Sequence, residues 1–370
     1  MDYTIITAWY DVRERENHPQ KDDTSNRFFC SMDWYFDSAK QFFNKPFPMV
    51  IFTEPRFKDL ILQSRPPELH DQTKFIFRPY EELLYYDLFA KYQENHLKTP
   101  IHNVTQEKFT PLYKFIVNQK VNFVKEVVEM NPFQSNKFAW MDMRLHCVYD
   151  MDTDETTEIM NQLPIDKVRL MQMCYTDPVK DRREFYAYTR GKVAAGFFAG
   201  YREPLLRFCN LCQKEFIQAV EEETAPTDEM IYSFVISNHP YLFDLYVGEY
   251  CDCLRNQLRI RNSLHLVFPF YQYAFDRGMF HYVTALSKRM RCGYIANDIQ
   301  FTDDQIHITW ERAYIAHREL QQHGKSRELM NEYFDIADQR EDVADYIRAR
   351  KHEIRLILSD PLLIERMESI

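Results

Sequence analysis

Short apolar runs alternate with helical stretches through the first hundred residues of this 370-residue chain. Apolar, strand-forming runs occupy residues 3–9, 48–53 and 74–77. Stretches with apolar residues at helical spacing follow them at 27–43, 54–63 and 81–92. Continuous apolar runs are typical of strands buried in a parallel sheet, and alternation with helices is typical of βαβ units. The sequence therefore predicts an α/β fold with a mostly parallel mixed sheet.

The pattern changes towards the C-terminus. Helices are predicted at 111–130, 152–162 and 202–223, with another beginning at its N-cap Thr227, and strands at 137–143, 167–174 and 241–250. From about residue 263 long amphipathic helices dominate, at 302–323, 326–338 and 342–358. We therefore predict an α/β domain over residues 1–258 and a C-terminal α-helical appendage over 259–370. The appendage is a candidate surface for a protein partner or for self-association.

Composition excludes several classes of protein. The formal net charge of −10 argues against a general nucleic-acid binder, which needs a basic face. No apolar run approaches the ~20 residues of a transmembrane helix, and the first residues lack the pattern of a secretion signal. The eight cysteines are scattered, so we expect reduced thiols in a cytoplasmic protein. Cys209, Cys212, Cys251 and Cys253 could form a zinc site, but the first two lie inside a predicted helix, which favours buried thiols.

One carboxylate, Asp142, lies near the end of the apolar run 137–143. A charge in such a run is costly to bury unless it is paired or faces a ligand at the edge of a sheet. Arg144 follows two residues later and could neutralise it as a structural ion pair. Both interpretations remain open from these residues alone.

Three of the seven glycines, Gly191, Gly196 and Gly200, fall within ten residues. Such clustering indicates backbone that approaches a ligand closely, or a β-bulge or tight strand-to-helix turn. The spacing matches neither a P-loop nor a dinucleotide-binding motif.

Cations near the predicted strand ends could bind a diphosphate if they converge at one edge of the sheet. Asp142 could then hold a divalent metal ion between them. The candidate cations are Arg13, Arg15, Lys114, Lys120, Arg144, Arg190 and Lys192.

Ordered motifs carry a resemblance to a known family. They are Thr7–Arg13, Pro48–Thr53, Thr110–Lys120, Asn131–Phe133, Phe138–Asp142, Ala195–Gly200, Thr227–Glu229 and Tyr246–Tyr250. Together they resemble the WlaTC/HtrL (YibB-like) family of proposed glycosyltransferases, over about residues 3–255. The resemblance implies a GT-A-like nucleotide-binding domain that uses a nucleotide-sugar donor and a glycan or glycoconjugate acceptor, with Mn²⁺ or Mg²⁺ as cofactor.

The resemblance also implies roles for particular residues. Trp140-Met-Asp142 stands where GT-A enzymes carry Asp-x-Asp, which leaves Asp142 as the single acid for the metal. Gly248-Glu-Tyr250 departs from the Gly-Asp-Tyr expected. Candidate cofactor- and substrate-binding residues are Thr7 and Ala8 for the nucleotide base, Arg13 and Lys120 for the diphosphate, and Gly196 and Gly200 for the sugar or acceptor.

Asp228 and Glu229 are the candidate catalytic bases. An inverting transfer needs a carboxylate near the acceptor hydroxyl. Alternatively, Asp228 and Glu229 are negatively charged residues that stabilise the N-terminus of a helix. The function predicted is a metal-assisted glycosyltransferase. The alternatives are a non-catalytic nucleotide-sugar-binding or interaction protein on a degenerate transferase fold, and a phosphohydrolase.

Overall fold

A computed structural model of the chain divides into two compact units, Met1–Arg255 and Asn256–Ile370. It describes residues 2–16, 32–98, 110–145, 150, 152–174, 179, 181–187, 192–250, 252–261 and 263–370. No helix in these ranges is long and apolar enough to cross a lipid bilayer.

A seven-stranded sheet forms the centre of the first unit. Its strands are β1 Tyr3–Trp9, β2 Met49–Thr53, β3 Thr73–Phe77, β4 Lys137–Met141, β5 Val168–Gln172, β6 Val193–Tyr201 and β7 Phe243–Val247. They lie in the order β3-β2-β1-β4-β6-β5-β7. β6 is antiparallel to both neighbours, and every other pair is parallel. The predicted α/β class with a mostly parallel mixed sheet is therefore confirmed.

Helices cover this sheet. They are α1 Val12–Arg15, α2 Met32–Phe43, α3 Lys58–Gln63, α4 Phe89–Lys98, α5 Pro111–Val117, α6 Lys120–Met130, α7 Thr153–Asn161, α8 Arg182–Tyr186, α9 Arg202–Glu221 and α10 Asp228–Asn238. α6 packs on β1, β4 and α9, and their apolar side chains form one large core. The carboxyl end of β4 thereby faces the first turn of α6.

The helix predicted over 111–130 is two helices, because the chain turns at Asn118 and Gln119. α5 begins with Pro111 in its first turn, and the side chain of Thr110 accepts a hydrogen bond from the Tyr113 amide. The turn makes Lys120 the first residue of α6. Its side chain consequently lies at the helix end nearest the carboxyl end of β4.

The glycine cluster agrees with the interpretation as a bulge or strand-to-helix turn, and one predicted helix begins later than expected. The glycine-rich stretch is the long strand β6, which runs directly into α9. A break in register between Leu170 and Met171, where β5 pairs with β6, shows that a bulge does occur beside it. The helix predicted over 81–92 begins only at Phe89, because Tyr85 takes the left-handed conformation with φ of 64°.

The second unit is entirely helical in its regular structure, which confirms the helical C-terminal region. Its helices are α11 Val267–Asp276, α12 Phe280–Ile295, α13 Asp303–Glu319, α14 His323–Ala337, α15 Glu341–Ala349, α16 Lys351–Ile357 and α17 Pro361–Ser369. Consecutive helices from α11 to α15 pack on one another around Trp310 and Tyr333. Thr302 and Gln305 form a capping box at the start of α13.

Candidate functional site

Asp142 directly follows the last residue of β4. Two hydrogen bonds fix its position, one through its backbone amide and one through its carboxylate. Its amide donates to the carbonyl of Gly196 on β6 over 2.9 Å. The indole Nε1 of Trp140 donates to its Oδ1 over 2.7 Å. The side chain of Asp142 is 42% exposed, so the carboxylate is fixed by the protein yet open to solvent.

Lys120 joins Asp142 to a second carboxylate. Its Nζ lies 3.0 Å from Asp142 Oδ1 and 2.9 Å from Asp228 Oδ2, and it donates to the carbonyl of Ala195 over 3.2 Å. The ammonium therefore lies within 3.2 Å of two carboxylate oxygens and one backbone carbonyl. The side chains of Lys120 and Asp228 are only 9% and 7% exposed. The structure thus brings together Asp142, Lys120 and Asp228, which we call the Lys120 cluster.

The charges of the cluster change the protonation of its members. Burial lowers the pKa of Lys120, but the charges of Asp142 and Asp228 outweigh burial, and the net effect is to raise the pKa. Burial raises the pKa of Asp228, and the charge of Asp142 adds to the effect while Lys120 opposes it. With all three groups ionised the cluster carries a net charge of −1. Such a cluster favours an arriving cation over an anion such as a phosphate.

The described contacts of Asp142 include Lys120 and not Arg144, so the ion pair considered from the sequence involves a different cation. The chain turns after Met141 and carries Arg144 to an aromatic surface on α2. Its guanidinium lies 4.3 Å from the ring centre of Trp34 and 4.7 Å from that of Tyr35. Lys120, the first residue of α6, is the cation that pairs with Asp142.

Two tyrosines that the sequence patterns did not single out face the same charges. Tyr113 is on α5, and Tyr250 follows β7. Burial raises the pKa of Tyr113, and Asp228 and Asp142 act in the same direction while Lys120 opposes them. Burial, Glu229 and Asp142 raise the pKa of Tyr250 to about 12. Their membership of the motifs Thr110–Lys120 and Tyr246–Tyr250 was the only signal available in the sequence.

Of the three glycines that lie close together in the sequence, the structure describes Gly196 and Gly200, and their surroundings differ. A Cβ added to Gly196 would lie 3.4 Å from Asp142 Oδ2 and 3.4 Å from Leu145 Cδ1. A Cβ added to Gly200 would lie 3.2 Å from the carbonyl oxygen of Lys167 and 3.3 Å from Leu205 Cγ. Gly196 therefore lies against the Lys120 cluster, whereas Gly200 allows β6 to pack closely on its neighbours.

Thr7 and Ala8 lie near the carboxyl end of β1, at the same edge of the sheet. Thr7 Oγ1, Trp9 Nε1 and Thr53 Oγ1 are buried and have no hydrogen-bond partner in the described part of the chain. Trp9 pairs with Thr53 across β1 and β2, so the three side chains share one face of the sheet. Ala8 is partly buried against the large core. Thr7 and Thr53 are fully buried on this face, whereas Ala8 lies on the opposite face, the one that carries Trp140, so Thr7 and Ala8 do not line one surface.

Of the other predicted cations, two that the structure describes, Arg15 and Lys114, have partners away from Asp142. The side chain of Arg13, together with Arg190 and Gly191, lies outside the described residues. Arg15 forms an ion pair with Glu81, and Lys114 donates to the carbonyl of Ala225.

The residues present fit a divalent metal ion only if the ligand supplies part of its coordination. Among the described residues, no group of three or more acids, histidines or cysteines could hold a metal. Asp142 nevertheless offers a partly exposed carboxylate within a cluster of net negative charge. Mg²⁺ is commonly bound by one or two carboxylates together with substrate phosphates and water. Asp142 fits that arrangement.

Among the cysteines that the structure describes, those of the zinc hypothesis form no such group. Cys209 and Cys212 are free, fully buried thiols in the regular helix α9, and Cys251 lies outside the described residues. Burial raises the pKa of Cys209, which favours the neutral thiol over the thiolate that binds zinc.

Comparison with known proteins gives a family match and similarities to solved structures. No curated protein sequence matches the chain. A crystal structure of mouse xyloside xylosyltransferase 1 in its apo form aligns with 71% of this chain and 96% of that chain, at 12% sequence identity and a TM-score of 0.36. The profile of the family described as "Bacterial protein of unknown function (HtrL_YibB)" matches residues 1–258. The chain belongs to the HtrL_YibB family.

Proposed function

We propose that this protein is a glycosyltransferase that moves a sugar from a nucleotide-sugar to a hydroxyl group of a glycan or glycoconjugate. The observation that supports this most is the Lys120 cluster, which holds two carboxylates at the carboxyl edge of a mostly parallel sheet. Ligands of open α/β sheets bind at that edge. The motifs shared with the WlaTC/HtrL family also surround the cluster.

On the donor side, we propose that the nucleotide base lies at the carboxyl end of β1 on the face of Ala8, and that the diphosphate lies near Asp142. Asp142 is itself an anion, so it would hold the diphosphate through a bound Mn²⁺ or Mg²⁺. That ion would neutralise the negative charge that grows on the leaving diphosphate. Lys120 fixes the direction of the Asp142 carboxylate, because its ammonium is bound to both acids.

On the acceptor side, Asp228 is the proposed general base. Its raised pKa brings the carboxylate closer to the pH at which a base works well. Glu229 is the next residue in the first turn of α10 and is partly exposed, so we assign it to the binding of the acceptor. Asp228 would accept the proton of the acceptor hydroxyl as that oxygen attacks the anomeric carbon and the nucleoside diphosphate leaves.

The test is release of nucleoside diphosphate from a panel of nucleotide-sugars in the presence of Mn²⁺, with sugar hydroxyl acceptors added. We expect turnover with at least one donor and its loss in Asp228→Asn. Glu203→Gln is a matched control, because Glu203 is a strongly exposed acid in the first turn of another long helix. A protein that neither consumes any donor nor is stabilised by any nucleoside diphosphate would contradict the proposal.

A second candidate is a non-catalytic protein that binds a nucleotide-sugar. Trp140 favours it, because an indole that donates to Asp142 stands where the first acid of the motif is expected. This candidate predicts stabilisation by nucleotides without turnover. Phosphate release without an acceptor would instead indicate a phosphohydrolase.

A further inference from the structure

The segment that connects α9 to α10 is held by side chains of α4, of α5 and of the turn that follows α5. Lys114 Nζ donates to the carbonyl of Ala225 over 2.7 Å. The carbonyl of Pro226 accepts two hydrogen bonds, from Asn118 Nδ2 over 2.9 Å and from the Tyr92 hydroxyl over 2.7 Å. All three donors are buried. We call Tyr92, Lys114 and Asn118 the loop clamp.

Burying the amine of Lys114 to satisfy one backbone carbonyl costs free energy. It is fully buried, and none of the described ion pairs includes it. Burial lowers its pKa to about 7, which shows how poorly this position suits a charged amine. An apolar side chain would avoid this cost but would leave the carbonyl of Ala225 buried without a donor.

The local sequence does not fix the start of α10. Thr227 occupies the N-cap position, but its side chain accepts no capping hydrogen bond, and its Oγ1 has no partner among the described residues. Asp228 follows as the first residue of the helix. The loop clamp therefore supplies the restraint that an N-cap side chain would otherwise provide.

The clamp and the Lys120 cluster are built on the same helix pair. Lys114 belongs to α5, Asn118 begins the turn that follows it, and Lys120 begins α6 directly after the turn. α5 and the turn thus hold the backbone two and three residues before Asp228, while α6 holds the Asp228 side chain. A shift of this segment would move Asp228 without moving Asp142.

We propose that Tyr92, Lys114 and Asn118 are positioning residues that set the location of Asp228 relative to Asp142. This inference rests on the proposed function, because it gives Asp228 the task of accepting a proton. It predicts that loss of the clamp lowers turnover while donor binding at Asp142 persists.

The experiment compares Lys114→Met and Asn118→Leu with the matched control Asn95→Leu in the full chain. Asn95 is also buried and donates to the carbonyls of Val220 and Thr224, at the other end of the same connection. We expect both clamp variants to lose turnover by roughly tenfold or more, because small misplacements of a reacting group are expensive. Their stabilisation by nucleoside diphosphate with Mn²⁺ should match that of the unaltered protein. Asn95→Leu should lower the melting temperature but keep turnover at temperatures well below unfolding.

Hydrogen exchange of the amides in residues 224–231 tests the clamp without relying on activity. Faster exchange there in Lys114→Met supports the inference, and unchanged exchange overturns it. An equal loss of turnover in Asn95→Leu also overturns it. If the unaltered protein binds no nucleotide and turns over no donor, the proposed function fails, and exchange alone decides whether the clamp positions Asp228. Tyr92→Phe, which leaves Asn118 on the Pro226 carbonyl, provides a milder variant in case Lys114→Met does not fold.

Discussion

Two buried lysines at the junction of α5 and α6 show how differently the same group behaves in two regions of one molecule. Lys120 lies between Asp142 and Asp228, and these charges raise its pKa despite burial. Lys114 faces a backbone carbonyl and the ring of Tyr92 but no described carboxylate, and burial lowers its pKa to about 7. The charge of the neighbouring group, rather than the degree of burial, therefore decides whether the pKa of each lysine rises or falls.

The region around Lys120 is therefore a charged site, whereas the region around Lys114 has a structural role. The Lys120 region has a net negative charge and a partly exposed carboxylate, so it suits chemistry with a cation and a proton. The Lys114 region satisfies carbonyls inside the protein and offers no charge partner. Substitutions at the two lysines should therefore differ in both kind and size of effect.

The largest effect is expected from Lys120→Met. This substitution leaves the buried Asp228 carboxylate without its cation, and breaking a buried ion pair in this way typically costs about 3–5 kcal/mol. Urea denaturation at neutral pH measures the change in the free energy of unfolding. Lys125→Met on the same helix is the control, because Lys125 is only partly buried and donates to the neutral side chain of Gln213. Equal losses in the two variants would contradict the ion-pair role of Lys120.

The next effect separates the two acids that Lys120 joins. Asp228→Asn keeps the shape of the side chain but removes the proposed base, so turnover should fall by about 10²–10⁴-fold. Binding of nucleoside diphosphate with Mn²⁺ should be nearly unchanged. Asp142→Asn should instead weaken that binding. Steady-state kinetics with melting-temperature shifts measures both, and a loss of binding in Asp228→Asn alone would reverse the assignment.

The Lys114 region should show a characteristic pH dependence of stability. Its pKa is about 7 in the folded state, against an ordinary value of 10.5, so the unfolded state binds more protons between these values and folding becomes more favourable as pH rises. The nearby His96, whose pKa falls to about 4 through burial and the charge of Lys114, does not titrate in this window. Tyr92, whose pKa is raised well above 10 by burial, does not titrate there either.

Comparison with Lys114→Met isolates this contribution. The difference in unfolding free energy between the unaltered protein and the variant should grow by up to about 2–3 kcal/mol from about pH 7.5 to about pH 9.5. Denaturation across this range is the measurement. A difference that stays constant with pH would mean that Lys114 keeps its ordinary pKa.

The smallest effects are expected at the two glycines of β6. Gly200→Ala should cost about 1–3 kcal/mol of stability, because the new methyl group meets a backbone carbonyl at 3.2 Å. Gly196→Ala should cost less, because its contacts of 3.4 Å are ordinary, but it should disturb Asp142 and lower donor binding. Denaturation and nucleotide titration of both variants test this. Weaker nucleotide binding in Gly200→Ala, with unchanged binding in Gly196→Ala, would contradict the placement of Gly196 beside Asp142.

The parts of the fold that the sequence predicted well are those where local pattern and tertiary packing agree. β1 and β2 are buried apolar runs, β3 is a partly exposed apolar run at the edge beside them, and the pattern of all three is visible in the sequence. β6 was missed because Ala194, Ala195, Gly196, Ala199 and Gly200 have little intrinsic preference for strands. That segment is a strand because β4 and β5 pair with it from both sides.

The candidate site was predictable as a set of residues but not as an arrangement. Asp142, Lys120 and Asp228 were each identified from the chain, with Lys120 assigned to phosphate. Only the turn at Asn118 and Gln119 places the Lys120 ammonium between the two carboxylates, and no local pattern encodes a contact between such distant segments. Lys114 carried no local signal of its role for the same reason, because its partner is a backbone carbonyl of another segment.

Calorimetric titration with nucleoside diphosphates, with and without Mn²⁺, tests most directly the claim that the Lys120 cluster is a nucleotide-sugar site. The account predicts that at least one of the uridine, guanosine, thymidine and cytidine diphosphates binds in the presence of Mn²⁺. It also predicts that Asp142→Asn weakens this binding while Glu203→Gln does not. Absence of binding by all four diphosphates, or equal binding by the unaltered protein and Asp142→Asn, would contradict it.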